Sequence, residues 1–310
     1  MNRIGRIMID IVINGLISGL IYSFIASGFS LTYGVSGVVN LTYGAFFMIG
    51  AYLFGNLYKI LAYNIPSEFS YLVPILALLI ATIITGIIGG IYYRLTLHQV
   101  LGDEVTTLII SLFGCIIFQQ IIYLIPTIGP VWAAQYPIPT LLPGTLTFWN
   151  VTIEVDRASA AATSLICFLG LWIFTAKTRV GKVMRALSQD LEAAMLMGAN
   201  VGKIYILVAG IAAGLACMAS VLKISAYAEP ANVVMWVEYM AYSFSIVILG
   251  GLGSLKGTLV GGFIFGYAYA IVEKYFPRAG ALMPIAPFVI IIIMLVLRPK
   301  GLFGKRIEME

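Results

Sequence analysis

Residues 14–52 read NGLISGLIYSFIASGFSLTYGVSGVVNLTYGAFFMIGAY, and they lie in a run of 48 residues between Asp10 and Lys59 without Asp, Glu, Lys or Arg. A helix crosses the hydrocarbon core of a bilayer in about 20 apolar residues. The run is therefore long enough for two membrane-spanning helices. It does not alternate between apolar and polar residues, which argues against a transmembrane β-barrel.

The rest of the chain has the same composition. Its 310 residues are 61% hydrophobic and only 10% charged, with a mean hydropathy of +1.02. A soluble domain has about 25% charged residues, so a soluble globular fold is excluded. We predict an all-α, polytopic membrane helical bundle of about eight to nine spans, forming one transmembrane domain over residues 1–310. The apolar segments are 9–33, 37–58, 71–93, 105–125, 158–176, 204–226, 239–254, 258–273 and 282–297.

Basic residues in short loops mark the cytoplasmic side of a membrane protein. Residues 177–203 contain five Lys or Arg residues, and the tail 298–310 contains four more. By contrast, residues 127–157 contain only Arg157, and residues 228–238 contain none. We therefore expect the 177–203 loop and the C-terminus to be cytoplasmic.

The N-terminal charges conflict with this orientation. Residues 59–70 must be external, whereas Arg3 and Arg6 favour a cytoplasmic N-terminus, and two full spans cannot join these positions. Either the N-terminus is external or one of the first two segments crosses incompletely. Residues 32–44 contain three glycines and Asn40, and broken helices are tolerated where protein buries them. We favour a half-helix or re-entrant element near 34–45.

Patterns typical of catalytic sites are missing from the sequence. The chain has a single histidine, His98, no GxxxxGK[ST] phosphate-binding loop and no pair of acidic residues within a predicted span. Its three cysteines, Cys115, Cys167 and Cys217, lie in apolar runs and are interpreted as buried thiols. We therefore expect no catalytic residue and no metal site.

Ionisable residues within spans mark ion and proton pathways, and they are nearly absent here. Lys223 lies at the outer end of a predicted span, where we expect its stem to reach the interface, and Glu238 is interpreted as interfacial. This pattern favours a pathway for a neutral or zwitterionic solute, with energy supplied by another protein.

The loop 177–203 contains a predicted short helix. Ser188 is expected to cap it, with acidic residues in the first turn, and Gly198 and Asn200 suit its C-terminal stop. Leu191, Met195 and Leu196 fall on or near one face. Such a helix either lies on the bilayer surface or docks into a groove of a cytoplasmic partner.

Residues 249–262, LGGLGSLKGTLVGG, are rich in glycine. Glycine in membrane helices allows close helix packing, so we predict a sharp cytoplasmic turn between two tightly packed helices. The first span carries a stripe of small and polar residues: Asn14, Gly15, Ser18, Gly19, Tyr22 and Ser23.

Three stretches together, residues 14–52, RALSQDLEAAMLMGAN (185–200) and residues 249–262, resemble the permeases of branched-chain amino acid ABC importers of the LivH type. The resemblance extends over nearly the whole chain. It implies an ABC importer permease fold with broken helices in a prokaryotic cell membrane. It also implies a second homologous permease, two cytoplasmic ATP-binding subunits and an external solute-binding protein as partners. ATP and Mg would be bound by the partner subunits, and no cofactor by this chain.

The resemblance also implies roles for individual residues. Residues 177–203 are similar to a cytoplasmic coupling loop, with its ATPase-coupling helix at 185–200. The implied coupling residues are Arg185, Asp190, Leu191, Ala193, Ala194, Gly198 and Asn200. Elements similar to the translocation path contain Asn14, Tyr22, Asn40, Thr42, Tyr43, Gly250, Gly251, Gly253 and Ser254.

One position departs from the family pattern. The family commonly has a histidine before the glycine of its first motif, where this chain has Tyr43 in NLTYG. Since related permeases carry urea, short amides and aromatic acids, the solute stays open.

We therefore predict a permease subunit of an ATP-driven importer that translocates branched-chain or other neutral amino acids by alternating access. A stand-alone secondary transporter would need intramembrane charges. A membrane-embedded enzyme would need clustered His, Asp or Glu residues.

Overall fold

A computed structural model describes residues 3–100, 103–124, 141–142, 144–148, 151–275 and 301–303, and six single positions between 285 and 296. The helices are α1 (Arg3–Ser36), α2 (Thr42–Asn64), α3 (Val73–Leu95), α4 (Glu104–Leu124), α5 (Val155–Lys177), α6 (Arg179–Leu187), α7 (Leu191–Leu196), α8 (Val201–Tyr227), α9 (Met235–Gly250) and α10 (Leu255–Tyr275). Two short 3-10 helices, Ser67–Leu72 and Leu97–Val100, flank α3. Strands β1 (Thr145–Phe148) and β2 (Val151–Glu154) form an antiparallel hairpin before α5.

Within these ranges, seven helical segments are long and apolar enough to cross a membrane, and α9, with 16 residues, is a shorter apolar helix. The predicted all-α polytopic bundle is therefore confirmed. The predicted ninth span, 282–297, lies mostly outside the described residues.

Glycines allow the central helices to touch along their backbones. A Cβ atom added to Gly266 of α10 would lie 2.2 Å from the backbone nitrogen of Gly19 of α1. In the same way, Gly86 of α3 and Gly210 of α8 face each other, and a Cβ on either would lie 3.0 Å from the other's carbonyl oxygen. Side chains at these positions would force the helices apart, so the glycines fix the α1–α10 and α3–α8 pairs.

The bundle has two distinct ends. The "α7 end" comprises α6, α7, the 3-10 helix 97–100, the turn 251–254, the last residues of α3 and α5, and the first residues of α8 and α10. The "Lys223 end" comprises the first residues of α1 and α5, the last residues of α2, α8 and α10, and the loop 228–234. Ion pairs join the end of α10 to the first residues of α1 and α5. Lys274 binds Asp10, and the side chain of Arg157 lies 3.5 Å from that of Glu273.

The prediction of a half-helix or re-entrant element near 34–45 is wrong. Helix α1 runs unbroken for 34 residues, the chain leaves it at Gly37 (φ +69°), and α2 begins at Thr42 and runs for 23 residues. Gly34 serves packing and does not break the helix, since a Cβ there would lie 3.1 Å from the carbonyl oxygen of Gly253. Residues 3–36 and 42–64 thus form two full helices, and α1 begins at the Lys223 end, where Asp10 pairs with Lys274.

Candidate functional site

The segment expected to form one coupling helix forms two, because the chain turns at residues 188–190 between α6 and α7. Ser188 is not the predicted cap, since its hydroxyl donates to the carbonyl of Arg185 (2.8 Å). Asp190 takes that role: its Oδ1 accepts a hydrogen bond from the backbone N–H of Ala193 (2.9 Å). A carboxylate there satisfies a free N–H group and suits the helix dipole.

The C-terminal end of α7 is equally well defined. The N–H of Gly198 donates to Met195 (2.9 Å) and that of Ala199 donates to Ala194 (3.1 Å), while Gly198 has φ +86°. This left-handed residue after the helix is a common helix stop. Asn200 then caps α8, since its Oδ1 accepts from the N–H of Lys203 (3.1 Å). The stop predicted at Gly198 and Asn200 is therefore present.

Two of the predicted coupling residues hold this segment to the bundle. The Arg185 guanidinium donates to the carbonyls of Thr175 and Ala176 at the end of α5. Ala194 is 7% exposed and belongs to a buried apolar cluster with Leu31 and Tyr93. The segment is thus tied to α5 through α6 and rests on the bundle through α7.

The other side of α7 faces outward. Leu196 and Met197 are each 89% exposed, and Ala193 is exposed beside them. Leu191 and Met195 instead line a cavity of about 430 Å³ beneath the helix, together with Asn40 and His98. The expectation that Leu196 shares their face is therefore wrong. A short, capped helix with apolar tips is suited to a partner's groove.

Residues Asn40, Thr42 and Tyr43 fix the start of α2. The Asn40 Oδ1 accepts from the N–H of Thr42 (3.0 Å), and the Thr42 hydroxyl donates to the Ser111 carbonyl (3.0 Å). Tyr43, 1% exposed, donates its hydroxyl to the carbonyl of Ile25 in α1 (2.7 Å). The structure thus gives the hydroxyl at the atypical position a partner within the protein.

The predicted sharp turn between α9 and α10 is present. Gly251 (φ +103°) and Gly253 (φ +75°) adopt a backbone that disfavours other residues, and the Ser254 hydroxyl accepts from the N–H of Gly257 (3.1 Å). A Cβ on Gly250 would lie 2.2 Å from the Gly257 carbonyl oxygen. The N–H of Leu302 donates to Leu249 (2.9 Å), so residues 301–303 lie against the turn at the α7 end.

The remaining predicted path residues, Asn14 and Tyr22, lie toward the Lys223 end. The Asn14 amide donates to Asp10 (2.8 Å), one turn earlier in α1. The Tyr22 side chain is fully buried, and its ring centroid lies 4.7 Å from that of Phe265. The predicted path residues therefore do not form one cluster: they are divided between the two ends.

Sequence reasoning missed a buried charged group at the Lys223 end. Lys223 does not reach the interface: it is 2% exposed and forms an ion pair with Glu229. The chain turns back at Ala228 (φ 50°) after α8, which carries the Glu229 carboxylate back over the helix. Asp156 is also buried, and accepts hydrogen bonds from Ser225 and from the N–H of Leu141. The only signal in the sequence was a lysine within a predicted span.

Proteins similar to this chain are known from sequence and from structure. The profile of a family described as "Branched-chain amino acid transport system / permease component" matches residues 11–297. The permease BraD of a high-affinity branched-chain amino acid transport system in Pseudomonas aeruginosa is 28% identical over 95% of both chains. The corresponding permease LivH of Escherichia coli is 27% identical over 94% of both chains. A solved structure titled PsaBC from Streptococcus pneumoniae in complex with Fab gives a TM-score of 0.46 at 15% identity, over 94% of this chain and 92% of that chain.

Proposed function

The chain belongs to the family of branched-chain amino acid transport permeases, and from this premise we propose that it is a membrane-spanning subunit of an ATP-driven importer. Its solute is a branched-chain or other neutral amino acid. ATP is hydrolysed by separate cytoplasmic subunits, a second permease completes the membrane pathway, and an external binding protein delivers the solute. The observation that carries the proposal is α7, capped at both ends and presenting Leu196 and Met197 outward.

Charge supports the α7 end as the cytoplasmic one, which would place the C-terminal residues 301–303 there too. Among the residues whose side chains the structure describes, this end has the larger share of basic residues. They are Arg94, Lys177, Arg179, Lys182, Arg185, Lys203 and Lys256 at the α7 end, against Lys59, Arg157, Lys223 and Lys274 at the other.

The mechanism is alternating access. When the ATPases close, their grooves move the outward face of α7. The Arg185 bonds to the end of α5 carry that displacement into one span, and Asn200, which caps α8 directly after α7, carries it into a second. Because α8 packs against α1, α2 and α3, its tilt changes which end of the bundle is open.

Co-purification tests the docking role of α7. We expect the double variant Leu196→Asp/Met197→Asp to lose most of the ATPase that co-purifies with the wild-type complex, because each change places a carboxylate where an apolar tip enters the groove. Both side chains are 89% exposed, so folding should not be affected. Val234→Asp is the matched control: this apolar residue is 55% exposed at the Lys223 end.

Equal ATPase recovery with the double variant and the wild type would contradict the docking role. Loss of ATPase with Val234→Asp alone would place the ATPases at the wrong end and contradict the proposed orientation. Reproducible absence of any ATPase from the wild-type complex would contradict the import function itself.

A further inference from the structure

Aromatic side chains from four helices converge toward the Lys223 end. Tyr22 of α1 lies 5.5 Å, between ring centroids, from Tyr242 of α9 and 5.6 Å from Tyr269 of α10. Tyr239 of α9 lies 6.3 Å from Tyr242, and Tyr227 of α8 lies 5.9 Å from Tyr269. We call these five tyrosines the tyrosine cluster.

Two hydroxyls of the tyrosine cluster have no hydrogen-bond partner among the described residues. They belong to Tyr22 and Tyr239, which are 0% and 2% exposed. By contrast, the hydroxyl of Tyr242 donates to Glu238, and that of Tyr227 bonds to Ser18 (2.7 Å). A buried donor without an acceptor is unfavourable, so an arriving acceptor would gain both bonds.

The ion pair of Lys223 and Glu229 lies beside two rings of the tyrosine cluster. The Lys223 ammonium is 5.5 Å from the ring centroid of Tyr239 and 5.4 Å from that of Tyr227. The side chain of Glu229 is 37% exposed, whereas that of Lys223 is 2% exposed. The Lys223–Glu229 pair therefore extends from the buried tyrosine cluster to the surface, with the Lys223 ammonium at its buried end.

We propose that the Lys223–Glu229 pair and the hydroxyls of Tyr22 and Tyr239 form a subsite for the zwitterionic head group of an α-amino acid. The carboxylate of the solute pairs with Lys223 and accepts hydrogen bonds from both tyrosines. Its ammonium group pairs with the more exposed Glu229. This inference rests on the proposed function and names a solute-recognition site within it.

Charge balance selects a zwitterion over related solutes. Opening the ion pair leaves a buried ammonium and a carboxylate, and a zwitterion supplies one partner for each. An amine without a carboxylate would leave Lys223, which is 2% exposed, without an anion, and this is costly in a buried site. A carboxylic acid without an amine would leave Glu229 without its cation. The buried ring of Phe47 lies 4.9 Å from that of Tyr239, so the surroundings of the subsite are apolar.

Removing single hydroxyls tests the subsite without disturbing the fold. Saturable binding of radiolabelled leucine is measured on the purified permease complex in nanodiscs, without the solute-binding protein. We expect Tyr22→Phe and Tyr239→Phe each to weaken binding about tenfold, as for loss of a hydrogen bond to a charged group. Their unfolding temperatures should be unchanged or higher, because neither hydroxyl has a partner in the described structure. Tyr267→Phe, on α10 outside the cluster, is the control.

Charge variants and analogues complete the test. Lys223→Met should reduce leucine binding by tenfold or more, whereas Lys274→Met, whose ion pair with Asp10 is more exposed, should not. We expect 4-methylpentanoate and 3-methylbutylamine, which lack the ammonium and the carboxylate respectively, to compete poorly.

Three results would overturn the subsite: wild-type complex without saturable leucine binding, full binding by both phenylalanine variants, or competition by either analogue as strong as that by unlabelled leucine. Each leaves the proposed import function standing if ATPases co-purify and drive uptake. Failure of co-purification concerns that function and not the subsite.

Discussion

The two ends of this bundle each place an aspartate near the start of a helix, in opposite environments. Asp190 at the α7 end is exposed and accepts one backbone hydrogen bond, whereas Asp156 at the Lys223 end is 3% exposed and accepts from Leu141 and Ser225. The α7 end has polar caps and exposed apolar tips, while the Lys223 end buries two charged side chains, Asp156 and Lys223. We therefore propose docking at the α7 end and solute recognition at the Lys223 end.

The largest expected loss of unfolding free energy is for substitution of the buried Asp156. Asp156→Leu removes the carboxylate that accepts from the Ser225 hydroxyl and from the N–H of Leu141, and it leaves that N–H with the Ser225 hydroxyl as its remaining acceptor (3.1 Å). The loss of two hydrogen bonds to a charged group should cost about 3 kcal/mol of unfolding free energy. A thiol-reactive dye can follow thermal unfolding, because Cys115 and Cys217 are 0% exposed in the folded protein. Asp156→Asn keeps an acceptor and should lose less. An unchanged unfolding temperature for Asp156→Leu would show that the buried Asp156 does not stabilise the Lys223 end.

The second effect is at the helix stop of the α7 end. Gly198 has φ +86°, so Gly198→Val places a β-branched residue in a left-handed conformation, at a cost of about 2 kcal/mol. We expect α7 to fray and ATPase recovery to fall, with little change in leucine binding. Gly198→Asn should be milder, since asparagine tolerates this conformation. ATPase recovery equal to that of the wild type with Gly198→Val would contradict the claim that ATPase docking requires a well-formed α7.

The cap of α7 provides a smaller effect. Asp190→Ala removes the acceptor for the N–H of Ala193 and should cost about 1 kcal/mol, felt locally in α7. The ATPase should therefore dissociate several-fold faster from the complex, while the global unfolding temperature stays close to that of the wild type. Asp190→Ser retains a capping oxygen and should behave like the wild type. Equal dissociation rates for the alanine and serine variants would contradict the capping role.

The smallest effect is expected at Tyr43. Tyr43→Phe removes one hydrogen bond to the carbonyl of Ile25, which also accepts from the Ser243 hydroxyl (3.3 Å). The loss should therefore be about 0.5 kcal/mol. The ranking of solutes in an uptake assay should not change, because the hydroxyl contacts α1. A changed ranking would place Tyr43 in the solute path.

The spans and the turns were predictable from the sequence because they depend on local pattern. Charge-free runs of membrane-spanning length and the glycine-rich turn at 249–262 correspond to helices and a turn in the structure. The glycines of residues 32–44 were misleading, since glycine is used both to break a helix and to let two helices touch. Only the position of Gly253 beside Gly34 distinguishes the two uses.

The buried charges could not be predicted, because they depend on contacts distant in sequence or on a local reversal of the chain. Lys223 at the end of a span has the same pattern whether its ammonium reaches water or a carboxylate. The left-handed residue Ala228 decides between them by returning Glu229 toward α8. Asp156 likewise gains its burial from Ser225, 69 residues away.

The most direct test of the central claim is the accessibility of the two ends from the two sides of the membrane. Met197→Cys and Val234→Cys, placed singly in a chain without the native cysteines, are labelled with an impermeant maleimide in spheroplasts and in inverted vesicles. Both positions are exposed, at 89% and 55%. We expect Val234→Cys to react only in spheroplasts and Met197→Cys only in inverted vesicles, with the bound ATPase protecting Met197→Cys alone. Reaction of both from the same side, or protection of Val234→Cys by the ATPase, would contradict the assignment of docking and solute recognition to opposite ends.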